Sequence, residues 1–322
     1  MTERRKIAVL TSGGDAPGMN AAIRAVVRSA IAQGCDAVGI ERGFEGLFEG
    51  EITPLAISDV GGVLDRGGTF LGTSRAPRLM TPEGIEEAVR IIHDTGINGM
   101  VIIGGDGSYR GAEELHAAGV PVVGIPGTID NDIAGTDTSI GFDTALNTIC
   151  DAVAKVRDTA SSHERTFVIE VMGRSCGILA TYAGLACGGD CILVPEVPYR
   201  IEDVWSCIQS GVGRGKKHSI IVIAEGAGHA FSLADELQVT YGHEVRSVVL
   251  GHVQRGGSPS AFDRILASRM GARAVAALLA GQSGVAVGLC GAHTVTYPLE
   301  EAYAAQHLLR KEIYELAGIL AR

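Results

Sequence analysis

The segment from residue 100 to 132 constrains the fold of this chain more than any other. It contains two short apolar runs, 101–103 and 120–125, and each run ends in a turn rich in glycine and aspartate. Both runs have the length and β-branched composition of buried strands, and Ser108 is expected to cap a helix between them that continues through Ala118. The pattern predicts a strand, a helix and a parallel strand, with both strand ends at the same edge of a sheet.

The two turns at this edge indicate the type of ligand. In open parallel sheets, ligands bind outside the carboxyl ends of the strands, where helix N-termini offer N–H groups to phosphate. Asp106, Asp130 and Asp132 follow the two strands. Because a carboxylate beside a bare phosphate is repelled, we expect a cation or a proton transfer there. We therefore predict a magnesium and nucleotide site, with Asp106 near the metal and one of the other two as a base.

The order of strand, glycine-rich turn and helix recurs along the chain. Apolar runs at 6–10, 167–171 and 220–224 each end in such a turn, and helical patterns follow the first two. Asn20 is expected to cap the first of these helices. This alternation predicts an α/β protein with two doubly wound, Rossmann-like, three-layer lobes and mainly parallel sheets. A length of 322 residues and a hydrophobic content of 46% allow two sizeable cores and exclude a disordered chain.

Composition also excludes several partners. No apolar run approaches the roughly 18 residues of a membrane span, and the first residues do not form a signal peptide, so we expect no membrane partner and a cytoplasmic location. A net charge of −10 argues against nucleic acid. Anionic substrates would then be bound by local arginines. The seven cysteines are scattered without CxxC spacing, which predicts reduced core thiols.

Short motifs leave one competing hypothesis. The Walker A pattern and a complete GxGxxG pattern are absent, which argues against P-loop kinases and dinucleotide oxidoreductases. Residues 173–177, GRSCG, match the GxSxG pattern of a nucleophile elbow and suggest an acyl hydrolase with Ser175 as the nucleophile. That chemistry needs an acidic residue and a histidine later in the chain, and no later histidine is singled out by its pattern.

Six segments together resemble the bacterial ATP-dependent 6-phosphofructokinases. They are TSGGDAPGMNAAIR at 11–24, GGDGS at 104–108, PGTIDND at 126–132, EVMGR at 170–174, AEG at 224–226 and LGHVQRGGSP at 250–259. The resemblance implies an ATP:fructose-6-phosphate 1-phosphotransferase of glycolysis that uses Mg²⁺ and forms fructose 1,6-bisphosphate and ADP by in-line transfer. It also implies an ATP-binding lobe of residues 1–140 plus 253–303 and a fructose 6-phosphate lobe of residues 141–252 plus 304–322.

The resemblance implies roles for individual residues. Asp130 matches the base that accepts the proton of the 1-hydroxyl. The other catalytic positions are Thr128, Arg75, Arg174 and Asp132. The nucleotide contacts are Gly14, Arg75, Ala76, Gly105, Asp106, Gly107 and Ser108, with Asp106 as the metal ligand.

The sugar phosphate site is implied in the same way. Its residues are Thr128, Ile129, Asp130, Arg165, Met172, Gly173, Arg174, Glu225, Arg246, His252 and Arg255. His252 and Arg255 match ligands of the 6-phosphate. Arg165 and Arg246 match arginines that a neighbouring subunit inserts, which implies a homo-oligomer, expected to be a tetramer, in which these two act in trans.

Two glycine positions bear on which phosphoryl donor is used, ATP or pyrophosphate. The resemblance associates Gly107 and Gly127 with ATP, whereas pyrophosphate users resemble GGDD and PKTIDND at these turns. An aspartate at 107 would repel the α-phosphate of ATP, and a lysine at 127 would supply charge. A pyrophosphate-dependent relative, a kinase for another sugar phosphate and a catalytically silent, nucleotide-responsive paralogue are the alternatives.

The resemblance also implies an effector pocket for ADP or phosphoenolpyruvate. Its residues are Arg24, Arg28, Arg157, Asp190, Arg214 and Lys216. Ile57 stands where regulated members have an arginine, and Asp190 where they commonly have a glutamate. Because one lost arginine contact removes about 1.5–3 kcal/mol of binding, we expect allosteric control with altered affinity or ligand preference.

Overall fold

The structure is a computed structural model that describes residues 4–74, 76–304 and 309–321. The first part of the chain alternates strands and helices as far as the loop that begins at residue 127. Its elements are β1 (Lys6–Thr11), α1 (Met19–Ala32), β2 (Asp36–Ile40), α2 (Gly43–Phe48), β3 (Ile52–Pro54), α3 (Pro82–Asp94), β4 (Gly99–Gly104), α4 (Asp106–Ala117) and β5 (Val122–Pro126). A 3₁₀ helix, Pro77–Met80, precedes α3.

The remaining chain continues the alternation and ends in two helices. Its elements are α5 (Phe142–His163), β6 (Thr166–Val171), α6 (Ile178–Cys187), β7 (Cys191–Leu193), α7 (Ile201–Gly213), β8 (Ser219–Ala224), α8 (Ala230–Tyr241), β9 (Val245–Val249), α9 (Ala261–Leu279), β10 (Val285–Cys290), β11 (His293–Pro298), α10 (Leu299–Ala304) and α11 (Lys311–Leu320). A second 3₁₀ helix, Gly251–Arg255, lies between β9 and α9.

The chain divides into two compact units. The first comprises Met1–Thr128, Asp132–Thr144 and Arg255–Gln306, and the second comprises Ile129–Asn131, Ala145–Gln254 and His307–Arg322. The short stretch Ile129–Asn131 therefore groups with the second unit, although the residues on either side of it belong to the first.

The first unit is built on a seven-stranded sheet in the order β11-β10-β5-β4-β1-β2-β3. The five inner strands are parallel, and the outermost strands, β3 and β11, pair antiparallel with their neighbours. From β1, the next strands β2 and β3 extend the sheet on one side, whereas β4 and β5 extend it on the other side. The strand order therefore reverses between β1 and β4. A reversal of this kind is where doubly wound sheets bind ligands.

The core of the first unit explains why its central strands are so apolar. Every residue of β4 is buried, as expected for a parallel strand with helices on both faces. Helices α1 and α9 pack closely through small residues, since a Cβ on Gly271 would lie 2.6 Å from the Cβ of Ala25. The two helices therefore form one closely packed layer against the sheet.

The second unit contains a four-stranded parallel sheet in the order β7-β8-β6-β9. All residues of β8 are buried, and a core cluster of Val168, Ile221 and Leu237 with their neighbours fills one side. Both units therefore have the predicted α/β architecture with mainly parallel sheets, and this prediction is confirmed. The antiparallel edges β3 and β11 were not predicted. Within the described ranges, no helix is both long and apolar enough to cross a membrane.

Candidate functional site

Two glycine-rich turns of the first unit meet at the carboxyl ends of β1 and β4. The Ser12 N–H donates a hydrogen bond to the Ile103 carbonyl at 3.0 Å, and the Ser108 hydroxyl donates to the Ser12 carbonyl at 3.0 Å. A Cβ on Gly104 would lie 2.3 Å from Ser108 Oγ and 2.5 Å from Ser12 O, so only glycine fits there. The two turns form one bonded platform at the reversal point of the sheet.

Ser108 does not cap α4. We expected Ser108 to begin this helix, but α4 begins at Asp106, and Ser108 lies in its first turn with 2% exposure. The expected cap at Asn20 is also wrong, because α1 begins at Met19 after Gly18. The Asn20 amide instead holds the loop near residue 70, accepting from the Phe70 N–H at 2.8 Å.

Asp106 is an accessible carboxylate at a helix N-terminus. Its side chain is 38% exposed and forms an ion pair with Arg110, with 3.2 Å between Oδ2 and Nε. The positive end of the helix dipole favours an anion at this position. Next to it, a Cβ added at Gly107 would meet no atom within 4 Å. The start of α4 is therefore open on the side where a ligand would approach.

The donor set at Asp106 fits a magnesium ion that arrives with a polyphosphate. Among the described residues, no group of three histidine, cysteine, aspartate or glutamate side chains is close enough to hold a metal. Mg²⁺ is usually bound through one or two carboxylates, substrate phosphates and water, without a dedicated protein cage. A single accessible carboxylate beside an open helix N-terminus meets that requirement.

The loop after β5 packs against the same platform. The Gly127 N–H donates to the Gly104 carbonyl at 2.9 Å, and the Ser139 hydroxyl donates to the Thr128 carbonyl at 2.7 Å. Thr128 is buried opposite Gly105, whose Cβ would lie 3.7 Å from the Cβ of Thr128. The structure thus brings Thr128 together with the turn that precedes α4.

The surroundings of Gly127 are apolar. A Cβ at this position would lie 3.0 Å from Cγ2 of Ile103 and 3.2 Å from Cε of Met19. A lysine at 127 would therefore begin in a tight hydrocarbon contact. Its charge would have to extend past these side chains before it could reach a phosphate.

Arg255 contacts the first turn of the chain. Its Nη1 donates to the Asp15 carbonyl at 3.0 Å, and a Cβ on Gly14 would lie 2.5 Å from that nitrogen. The glycine therefore leaves room for a guanidinium. Asp132 and Ala76 are half-buried in the same unit, and Arg75 lies outside the described residues.

The second unit contains a buried carboxylate paired with an exposed arginine. Asp130 is 1% exposed, and its Oδ2 lies 3.4 Å from Nε of Arg174, whose side chain is 55% exposed. Asn131 and Arg174 have φ angles of 54° and 52°, in the left-handed region that is unfavourable for residues with a side chain. Such conformations occur at functional sites where the surrounding structure enforces them.

The Arg174 turn is held by two neighbouring residues, Glu225 and Gly226. Oε1 of Glu225 accepts from the N–H groups of Gly173 at 3.2 Å and Arg174 at 2.7 Å. A Cβ on Gly226 would lie 2.1 Å from the Arg174 carbonyl oxygen, so the carbonyl can occupy its position only beside glycine. Glu225 thus has a positioning function that its predicted role as a sugar ligand did not include.

Gln254 is a site residue that the sequence analysis missed. It is fully buried, its Oε1 accepts from the Met172 N–H at 3.2 Å, and its Nε2 donates to the Gly251 carbonyl at 2.9 Å. It therefore joins the Met172 turn to the 3₁₀ helix that includes His252. Its position within the LGHVQRGGSP motif was the available signal.

Arg165 and Arg246 converge on one glutamate in the second unit. Nε of Arg165 lies 4.0 Å from Oε1 of Glu244, and the Arg246 guanidinium donates to the same oxygen. The sheet explains this proximity, because Arg246 on β9 pairs with Phe167 on β6. His252 is exposed, and Ile129 is completely buried. Glu244 was not predicted.

The six predicted effector residues fall into two groups. Arg24 and Arg28 lie on α1 of the first unit, and neither forms an ion pair with a carboxylate in the described parts of the chain. In the second unit, Asp190 accepts hydrogen bonds from Lys216 and from the Ile220 N–H. Asp190 and Arg214 line a cavity of about 630 Å³ together with Tyr314 of α11.

The remaining predicted effector residues are also anchored. Arg214 donates to the Ala321 carbonyl at 3.0 Å, and Arg157 donates to the carbonyls of Cys187 and Gly188. Ile57 is 47% exposed, so a side chain at this position is available at the surface.

The GxSxG segment does not form a catalytic triad. It lies between β6 and α6 as predicted, and Ser175 is exposed. No hydrogen bond joins Ser175 to a histidine among the described residues. The backbone of this segment instead forms the turn that holds Arg174. This geometry argues against the acyl hydrolase alternative.

Comparison with known proteins identifies the class. The family model described as phosphofructokinase matches residues 6–278. A curated ATP-dependent 6-phosphofructokinase from Bacillus thuringiensis is 54% identical over 98% of this chain and 99% of its own length, and one from Shouchella clausii is 51% identical over the same shares. The crystal structure of Pichia pastoris phosphofructokinase in the T-state superposes with a TM-score of 0.91 at 35% identity, covering 99% of this chain and 37% of the yeast chain.

The chain belongs to the phosphofructokinase family. The resemblance inferred from the six motifs is thereby confirmed, and so is the predicted enzyme class. The family match includes every residue that was predicted for the active site, from Gly14 to Arg255.

Proposed function

We propose that this chain transfers the γ-phosphoryl group of ATP to the 1-hydroxyl of fructose 6-phosphate, giving fructose 1,6-bisphosphate and ADP. The relatives named ATP-dependent 6-phosphofructokinase, which match nearly the whole chain, support this donor and acceptor. The observation that most favours catalysis is the Asp130 carboxylate, which is buried and paired with Arg174. A family member without turnover would have no need for such a pair.

On the donor side, the turns after β1 and β4 would bind the nucleotide. Gly14, Gly105, Gly107 and Ser108 would offer backbone N–H groups and a helix N-terminus to the phosphates, and Arg75 and Ala76 complete the proposed set. Asp106 would hold Mg²⁺ together with the phosphates. When bound, the ion neutralises charge on the transferred group.

On the acceptor side, Asp130 would accept the proton of the 1-hydroxyl as the oxygen attacks. General-base assistance of this kind contributes about 10²–10⁴ in rate. Arg174, which lies beside Asp130, would stabilise charge on the transferring group, while Thr128 would donate to one of its oxygens. Asp132 would support the geometry. The rest of the rate enhancement would come from in-line positioning.

The sugar would be bound by the turn that Glu225 and Gln254 hold in place. Met172 and Gly173 would lie against the ring, and Oε2 of Glu225 would accept sugar hydroxyls, since only Oε1 is used by the backbone within the described chain. His252, Arg255, Arg165 and Arg246 would bind the 6-phosphate. The last two would act in a neighbouring subunit of a homotetramer.

A mixing experiment tests the role of Arg246 in trans. Asp130→Asn and Arg246→Ala subunits are each expected to have little activity at moderate fructose 6-phosphate. If Arg246 completes a neighbouring site, dissociated and reassociated mixtures recover activity, because some sites then contain neither substitution. An absence of recovery in mixtures shown to contain both subunits would contradict action in trans.

The donor assignment is tested by coupled assays with ATP and with pyrophosphate. We expect turnover with ATP and much slower turnover with pyrophosphate, because Gly107 leaves the start of α4 open and Gly127 has apolar neighbours. Comparable rates with both donors would favour the pyrophosphate-dependent alternative. Nucleotide binding with no turnover for any sugar phosphate would favour the silent paralogue, and turnover with another sugar phosphate alone would change the acceptor.

Regulation is part of the proposal. Arg157, Asp190, Arg214 and Lys216 lie around the α6 to β7 turn and the adjoining cavity, and with Arg24 and Arg28 they would bind ADP or phosphoenolpyruvate. Because Ile57 supplies no charge, we expect an altered response to one or both effectors. A strong normal response to both in activity titrations would contradict this. The chain would work in the cytoplasm.

A further inference from the structure

Two cysteine thiols of the second unit lie in direct contact. Cys150 is in α5 and Cys187 is the last residue of α6. Their sulfur atoms are 3.3 Å apart, and both side chains are partly exposed and free. The sequence separation of 37 residues gave no indication of this pairing.

The contact is close to the geometry that a disulfide requires. A disulfide has its sulfur atoms about 2.05 Å apart, so the two thiols need to approach by roughly 1.3 Å. Cys187 is at the end of its helix, and the chain reverses immediately after it through Gly188, whose φ is 61°. A helix terminus beside a glycine can make this adjustment more easily than a residue within a helix.

The local environment favours reaction at Cys150. The Cys187 thiol donates a hydrogen bond to Cys150 and lowers the pKa of the Cys150 thiol to about 7. The same interaction raises the pKa of Cys187. A thiol whose pKa is near ambient pH is the best attacking group in thiol–disulfide exchange. Cys150 is therefore expected to react first and Cys187 to resolve the intermediate.

We propose that Cys150 and Cys187 form a reversible dithiol–disulfide pair that restrains the turn between α6 and β7. The oxidant is a small-molecule disulfide of the glutathione type. The Cys150 thiolate attacks one of its sulfur atoms and releases one thiolate. Cys187 then loses its proton and attacks the Cys150 sulfur of the mixed disulfide, releasing the second. Two protein thiols are oxidised, and one external disulfide is reduced to two thiols.

The turn that would be restrained is otherwise held by hydrogen bonds and by an ion pair at Asp190. The Arg157 guanidinium donates to the carbonyls of Cys187 and Gly188, and the Gly189 N–H donates to the Gly184 carbonyl at 2.8 Å. Asp190 follows directly and pairs with Lys216. A bond from Cys187 to α5 would add a covalent constraint beside these hydrogen bonds.

The other cysteines provide comparisons. Cys35 and Cys176 are buried, and Cys290 is exposed. Cys191 and Cys207 also interact through a hydrogen bond, but the Cys207 thiol additionally donates to the Asp190 carbonyl at 2.9 Å. Cys150 and Cys187 are therefore the pair we expect to oxidise first.

The test uses the full chain, first reduced and then equilibrated with mixtures of reduced and oxidised glutathione. Remaining thiols are alkylated and the peptides mapped by mass spectrometry. We expect two of the seven thiols to disappear, a peptide linkage between residues 150 and 187, and full recovery with dithiothreitol. The control Cys290→Ser should form the same linkage, and both Cys150→Ser and Cys187→Ser should abolish it.

Two results would overturn the pairing. One is retention of all thiols under oxidation, and the other is a first linkage between Cys191 and Cys207 or any other pair. The restraint is tested separately by amide hydrogen exchange at residues 188–190, which should slow by about tenfold on oxidation, because a cross-link disfavours local opening. Unchanged exchange in the linked protein would contradict it. Neither measurement uses turnover, so the outcome is independent of the proposed catalytic function.

Discussion

Asp106 and Asp130 are the same residue type in similar positions of the chain, yet the structure places them in opposite environments. Asp106 lies two residues after β4, is 38% exposed, and pairs with Arg110 one helical turn away. Asp130 follows β5 within four residues, is 1% exposed, and pairs with Arg174 from a distant part of the chain. The first carboxylate is accessible to an incoming ion, whereas the second is held in a fixed position.

The roles proposed for the two carboxylates follow from this difference in environment. An accessible carboxylate at a helix N-terminus can join the coordination of a hydrated Mg²⁺ ion, because the ion keeps several waters and needs only one or two protein carboxylates. A buried carboxylate beside an arginine keeps its charge and its orientation, as a general base requires. Chemistry that needs both a metal ligand and a base can therefore use one residue type twice.

The strongest test of the comparison is Asp130→Asn. The amide keeps the shape of the side chain but cannot accept the hydroxyl proton, so we expect kcat to fall by about 10²–10⁴ with smaller changes in the KM values. Steady-state kinetics with both substrates measure this. Asp151→Asn serves as the control, since Asp151 is 68% exposed and its ion pair within the described residues is with Lys155. A wild-type kcat for the Asp130→Asn variant would show that Asp130 does not act as the base.

The variant Asp263→Ala tests whether burial alone is enough to identify a catalytic carboxylate. Asp263 is fully buried and accepts hydrogen bonds from the Gly141 N–H, the Thr144 N–H and the Thr144 hydroxyl. Removing this acceptor leaves buried donors unpaired, at about 1–3 kcal/mol each. We expect roughly 3 kcal/mol or more of lost stability in denaturant unfolding, with kcat of the folded protein unchanged. A fall in kcat like that of Asp130→Asn would contradict the distinction.

The same variant has a pH signature. Burial raises the pKa of Asp263 above its ordinary value. Its contribution to stability is therefore largest below the ordinary pKa and decreases as pH rises through the folded pKa. The stability difference between wild type and Asp263→Ala should accordingly be larger near pH 4 than at pH 7. An opposite trend in paired unfolding curves would show that burial does not raise the pKa of Asp263.

Asp106→Asn tests the accessible carboxylate. Substituting a residue that only supports a metal ligand typically lowers metal affinity or activity by about 10–100-fold. Loss of a direct ligand should therefore raise the Mg²⁺ half-saturation by a factor in or above this range. Activity titrated with Mg²⁺ at saturating substrates measures the shift, and excess Mg²⁺ should restore part of the rate. Asp130→Asn is the matched control and should show no such restoration. Identical Mg²⁺ curves for Asp106→Asn and wild type would exclude a metal role.

The variants Gly226→Ala and Gly107→Ala each add a single methyl group. They compare the turn after β8, which contacts Arg174, with the first turn of α4. A Cβ at 226 would clash with the Arg174 carbonyl, whereas one at 107 would meet nothing within 4 Å. We expect Gly226→Ala to lose about 1–3 kcal/mol of stability and to weaken fructose 6-phosphate binding, while unliganded Gly107→Ala remains near wild type. Thermal unfolding of both variants decides this, and equal losses would show that the turns are similarly packed.

Much of the fold could be predicted because its signals are local. The β-branched runs that end in glycine turns predicted β1, β4, β5, β6 and β8, and the alternation with helices predicted two doubly wound lobes. The antiparallel edges β3 and β11 were missed, because β3 has only three residues and neither strand contains a continuous apolar run. The caps at Asn20 and Ser108 were wrong because tertiary hydrogen bonds to other turns use those side chains.

Long-range contacts account for what was missed at the site. Gln254 is bonded to the turn after β6, Glu244 lies near Arg165 just before β6, and the contact between Cys150 and Cys187 joins two helices. The positioning function of Glu225 depends on the backbone of a turn 51 residues earlier. Nothing in the local pattern around these residues specifies such partners.

The sequence by itself determined the class of this protein, because ordered motifs and alternating apolar runs are properties of residue type and spacing. It also located the two turns that follow β4 and β5 and the aspartates within them. Only the tertiary structure decided that Asp106 is accessible while Asp130 is buried against Arg174. Burial and pairing depend on which distant elements pack together, and that is settled when the chain folds.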